Sequence, residues 1–192
     1  YPTLRINRNW YVGSAIQVAT ASFFYENFDE AEYKPRVDVL QGFVAYERYA
    51  GNKMLRVKAG QMSTAFGSYL LEYDDARNPL IDIPSGYGYY YSPVSTLGLG
   101  GAQLDAVVDK WDLRLQATTS SPANRRSLRD SDQYLNWTGG AGYTIRQGFR
   151  VGVSAYRGPY LHRDHRFFFP GELNPKDLPA DGYGIDVQFA HG

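Results

Sequence analysis

The chain has 192 residues, with 20 Lys and Arg balanced by 20 Asp and Glu, 20 Gly, 17 Tyr, 10 Phe and no Cys. Balanced charge excludes the clustered positive face that an extended nucleic-acid surface requires. The missing cysteine excludes disulfide scaffolds, thiolate metal sites and cysteine nucleophiles, while leaving the redox compartment open.

No run approaches the ~18 consecutive apolar residues of a membrane-spanning helix. A spanning β-barrel stays compatible, because its strands alternate and average out as polar. Five lysines against fifteen arginines, with abundant Tyr and Gly, lean toward β structure. The chain opens Tyr1-Pro2 with no basic and apolar leader, so either a signal peptide has been removed or this is a piece of a longer protein.

Taken in chain order, the first two predicted strands, Trp10 to Tyr25 and Val37 to Tyr49, alternate imperfectly. They flank a long connection, Asn27 to Arg36, in which Asp29, Glu30 and Glu32 either coordinate calcium or keep the loop solvated, solvation being favoured. A short turn, Ala50-Gly51-Asn52-Lys53, leads to a strand with Leu55, Val57 and Ala59 opposite Arg56 and Lys58. The longest connection, Ser63 to Leu97, follows. Next, Ala102, Leu104, Ala106 and Val108 oppose Gln103 and Asp105, and the turn Asp109-Lys110 brings in Trp111 to Ser120. There Trp111, Leu113, Leu115 and Ala117 face away from Asp112, Arg114, Gln116 and Thr118. After Ser121 to Tyr134, the strand Leu135 to Arg146 turns at Gln147-Gly148 into Phe149 to Tyr156. The loop Gly158 to Gly182 precedes a last strand in which Tyr183, Ile185, Val187 and Phe189 oppose Asp186 and Gln188.

The count is about eight strands, most of them long enough at ~9 to 12 residues to cross a bilayer when tilted. Short and long connections alternate, so short turns collect at one end of a meander and long loops at the other, the arrangement of outer-membrane barrels. The apolar face of the clear strands carries no charge, and its aromatics sit near strand ends. Trp111 and Phe149 follow short turns, while Trp137 and Tyr183 lie toward the long loops, as an interfacial girdle requires. The predicted fold is therefore all-β: an antiparallel transmembrane β-barrel in which residues 1–192 form a single domain or part of one. Its polar face would line the lumen with Arg56, Lys58, Asp105, Asp112, Arg114, Arg146, Arg150 and Asp186. These either set a transverse field across a wet channel or pair across strands to hold the wall, pairing being the commoner role for any one residue. One sign does not dominate, so an anion ladder is not expected.

With these residues in place, the chain resembles bacterial outer-membrane porins, within the broad group that includes the phosphate-selective ones. The resemblance rests on Gly42-Phe43-Val44-Ala45-Tyr46-Glu47, on Leu55-Arg56-Val57-Lys58-Ala59-Gly60-Gln61 and on Ala65-Phe66-Gly67, where alanine replaces the group's usual proline. It implies a closed barrel in the bacterial outer membrane, contacting membrane lipid and passing small hydrophilic solutes by passive diffusion, commonly as a homotrimer. A passive diffusion channel filters by size and charge, so no enzyme activity and no cofactor are expected. Porins of this kind have about sixteen strands, so the chain is expected to cover about half a barrel. The resemblance also gives the 63–97 loop a role as a constriction folded into the lumen, through Glu72, Asp74, Asp75, Arg77, Asp82, Tyr89 and Tyr90. The bland alternative is an external cap that packs on itself.

His162, Asp164 and His165 have the composition of a metal site but read as a solvated loop stretch. Gly98-x-Gly100-Gly101 lies in a strand, not before a helix, and is no phosphate loop. Two rival functions stand beside the diffusion channel. One is a small outer-membrane barrel acting as adhesin or structural anchor, and the other is a soluble β-barrel that binds a ligand inside.

Overall fold

A computed structural model describes residues 2–19, 36–67, 99–118, 135–159 and 179–189. They form one antiparallel sheet: β1 (Thr3–Arg5), β2 (Trp10–Ala19), β3 (Arg36–Ala50), β4 (Lys53–Met62), β5 (Leu99–Val108), β6 (Trp111–Thr118), β7 (Asn136–Arg146), β8 (Phe149–Pro159) and β9 (Pro179–Phe189). The spatial order is the chain order, so the topology is a simple meander of nine strands with no helix among the described residues. The sheet is not closed there, because β1 and β9 each pair on one side.

The short connections are tight turns that place one residue each in the left-handed region: Gly51 (φ 59°), Asp109 (φ 54°) and Gly148 (φ 78°). The strand beyond the eight expected, β1, has three residues and is too short to show a period. The imperfect alternation of the first two long strands has a local cause. Ala15 pairs with Gln41 and Ile16 with Val39, leaving Leu40 as an extra residue. Beyond that bulge the exposed positions of β3 change from odd (Val37, Val39) to even (Val44), which is what a one-residue insertion does to a period of two. The last strand begins at Pro179 rather than Tyr183, pairing with Pro159 beyond the last β7–β8 pair among the described residues, so the N–H groups that the two prolines lack fall at the end of the ladder and not in its middle.

The burial of the two faces is inverted relative to a soluble protein. Large apolar side chains lie on the exposed face, with Leu113 47%, Leu115 51%, Ile185 84% and Val187 62% accessible. The buried set is mainly polar (Thr64, Gln103, Asp105, Gln116, Thr118, Asn136, Thr138 and Ser154), and its apolar members are chiefly small: Ala15, Ala45, Met62, Ala65 and Tyr156. The described residues thus have no conventional oily core, and their packed side is hydrophilic.

The sheet is also strongly curled. Residues that follow β4 reach across the inner side to β6, and the Phe66 ring lies over β9, where a Cβ on Gly184 would stand 3.0 Å from it.

Candidate functional site

The inner face carries a belt of charge that runs across the sheet near the short turns. Arg5 on β1 lies 3.9 Å from Glu47 on β3, which is 3.6 Å from Arg56 on β4, whose Nε donates to Asp105 on β5 at 2.9 Å. Lys58 is a second cation on Asp105, at 3.6 Å, and its ammonium stands 5.6 Å from the Phe43 ring centroid. Asp105 is directly opposite Arg114 in the β5–β6 register. From there Arg114 meets Asp112 at 3.2 Å, Arg150 of β8 meets Asp112 at 2.7 Å, and Arg150 meets Asp186 of β9 at 2.5 Å. In strand order the sign alternates from Arg5 to Asp186, with five basic groups against four acidic ones.

Glycines make this geometry possible. Arg150 on β8 reaches Asp112 on β6 by lying flat across β7, and the residue beneath it is Gly142. A Cβ at Gly142 would overlap both the guanidinium and the Asp112 carboxylate, and one at Gly152 would sit 2.7 Å from the Asp186 carboxylate. Gly142 and Gly152 are therefore the floor on which the Arg150, Asp112 and Asp186 side chains lie.

Toward the long-loop end the charges give way to amides and hydroxyls. Gln103 donates to Asp105 at 2.6 Å and accepts from Gln116 at 3.0 Å. The Tyr156 hydroxyl donates to Asn136 at 3.1 Å, with Thr118 and Thr138 buried nearby on the same face. Here residues 63–67 turn inward. Gln116 donates to the Ser63 carbonyl at 2.8 Å and accepts from the Ala65 amide at 3.1 Å, and Arg114 donates to the Gly67 carbonyl at 2.8 Å. Thr64 and Ala65 are buried by these contacts.

Of the residues expected in the lumen, Arg56, Lys58, Asp105, Asp112, Arg114, Arg150 and Asp186 lie together on the inner face. Arg146 differs: a register shift between Thr144 and Arg146 leaves it exposed at the turn. Each of those seven side chains has an ionic partner within 4 Å, across strands for all but Arg114, whose partner Asp112 lies two residues away on the same strand. On the outer face Trp111, Trp137 and Tyr183 are exposed. The Trp111 ring packs 4.8 Å from Tyr143, and Phe149 lies edge-on to Phe189 at 6.2 Å.

The constriction residues Glu72, Asp74, Asp75, Arg77, Asp82, Tyr89 and Tyr90 lie outside the described residues, as do Asp29, Glu30, Glu32, His162, Asp164 and His165. Among the described residues no group of three or more His, Asp or Glu is disposed to hold a metal.

Sequence reasoning missed Arg5, Glu47, Gln103 and Gln116 as members of the site. The Leu40 bulge hid the phase of Glu47. The two glutamines carry no charge, yet their alternation with Leu104 and Leu115 already assigned them to the inner face. No protein-family model and no curated protein sequence matches the chain.

Proposed function

We propose that this chain forms part or all of a bacterial outer-membrane porin, a passive conduit for small hydrophilic solutes that performs no chemistry and is bathed by lipid on its apolar face. The observation that carries this reading is the inverted burial: Leu113 and Ile185 are exposed, while the Arg114 and Arg150 side chains are only 9% and 13% accessible. In water an exposed apolar face of this extent is a liability, whereas in a bilayer it is the solvated surface. Strand length agrees. Eleven residues of β7 at about 3.4 Å each, tilted by about 45°, rise roughly 26 Å, close to the ~25 Å apolar band of such barrels. Aromatics on that face next to the turns, Trp111 and Phe149, match an interfacial girdle.

A non-conducting anchor is the second reading. It is favoured by the extent to which ion pairs and amides fill the inner face. Reconstitution into planar bilayers separates the two: discrete conductance steps are expected from the porin. A folded, membrane-inserted protein that carries no current is the anchor, and a protein that stays soluble and monomeric without detergent is neither.

A further inference from the structure

We propose that Gln116 is the positioning residue that fastens the inward segment 63–67 to the barrel wall and so sets the width of the passage, an inference that rests on the porin reading. The segment is held by side chains rather than by a strand ladder. Gln116, only 1% accessible, grips two backbone groups spaced as on an extended strand: its amide nitrogen donates to the Ser63 carbonyl and its amide oxygen accepts from the Ala65 N–H. The side chain thus stands in for the backbone N–H and C=O that one residue of a neighbouring strand would offer.

The orientation of this amide is dictated from the charge belt. Asp105 as a carboxylate only accepts, so the Gln103 nitrogen points at it and the Gln103 oxygen is left to accept. That oxygen takes the second proton of the Gln116 nitrogen, which leaves the Gln116 oxygen facing Ala65. One carboxylate therefore fixes the polarity of two amides in series and, through them, the seat of the segment. Arg114 adds a second hold at Gly67, which lies in the left-handed region at φ 65°. The consequence lies on the far side: with residues 63–65 seated on β6, Phe66 projects over Gly184 of β9, spanning the concave face.

The chain contains no cysteine, so a single introduced thiol reports cleanly. Ala65→Cys, buried in the parent, is expected to react slowly with a water-soluble maleimide in folded, reconstituted protein. Adding Gln116→Leu, similar in volume but without hydrogen bonds, is expected to speed labelling about tenfold or more. Gln103→Leu, which only disorients Gln116, gives a smaller rise, and Gln188→Leu on β9 gives none. In bilayers Gln116→Leu is expected to raise single-channel conductance roughly twofold and to admit larger solutes.

Unchanged labelling in Gln116→Leu, with the far-UV signature of the sheet intact, overturns the positioning role whether or not the protein conducts. Faster labelling with unchanged conductance overturns the link to pore width. A folded parent without current overturns the porin reading, while the labelling still decides whether Gln116 holds the segment.

Discussion

Gly139 and Gly142, both on β7, face opposite sides of the sheet, and their substitution should separate two kinds of glycine. At Gly139 the nearest atoms to an added Cβ are the Arg114 carbonyl at 3.4 Å and a Leu115 methyl at 3.7 Å, ordinary contact. At Gly142 the Cβ would enter the space of the Arg150 guanidinium and the Asp112 carboxylate. Gly142→Ala is therefore expected to cost about 1–3 kcal/mol by overpacking, and Gly139→Ala to stay within about 0.5 kcal/mol of the parent. Denaturant midpoints for reversible folding into lipid vesicles measure both, and equal costs would refute the flat-lying arginine.

Arg150 itself holds two acids, so Arg150→Met leaves Asp186 without the cation it pairs with and Asp112 with Arg114 alone, and should cost about 1–3 kcal/mol. The exposed Arg157–Asp181 pair, at 3.3 Å and 67% and 38% accessible, should yield about 0–1 kcal/mol on Arg157→Met. The same midpoints read this comparison, and a cost at Arg157 as large as that at Arg150 would argue against burial as the deciding factor.

At the level of strands, period-two alternation carried nearly all of what could be read in advance, because one face of most long strands is apolar through its middle, with charge on that face only toward strand ends, as at Lys53, Arg157 and Asp181. β6 is the clearest case, with Leu113 and Leu115 out and Arg114 and Gln116 in. What escaped has physical reasons. β1 is three residues long, the Leu40 bulge inverts a phase, and Pro179 to Gly182 read as loop because Pro, Asp and Gly have low strand propensity. Partner identity escaped as well: alternation gives the face of Arg150 but not that it crosses β7 to Asp112, since that depends on the register of three strands.

The same alternation makes a depth-dependent prediction. Leu115 sits mid-strand between Leu104 and Gly139, whereas Val108 borders the turn opposite Trp111. On a lipid-facing surface Leu115→Arg should cost about 2–4 kcal/mol and Val108→Arg about 0–1 kcal/mol. Folding titrations in vesicles give both values, and the lipid-facing assignment fails if neither substitution costs anything.

For the whole molecule, the constraint that matters is parity. Eight successive antiparallel pairings separate β1 from β9, so the two edge strands run in the same direction. Joining them directly would place one parallel ladder in an otherwise antiparallel wall. A barrel that is antiparallel throughout has an even number of strands, so completing this sheet takes an odd number of further strands between β9 and β1. The belt, too, is open at both ends. It ends in the acid Asp186 at β9 and in the base Arg5 at β1, so continued alternation calls for a basic inward side chain beside Asp186 and an acidic one beside Arg5.

An edge of eleven residues with Tyr183, Ile185, Val187 and Phe189 exposed has no place unpaired in lipid, where each open backbone group costs several kcal/mol. In the reconstituted protein, hydrogen exchange should therefore find the β9 amides that point away from β8 as protected as those that point toward it. Exchange of the outward set at unprotected rates, with the inward set slow, would mean that β9 is a bare edge and that the curled sheet is not part of a closed wall.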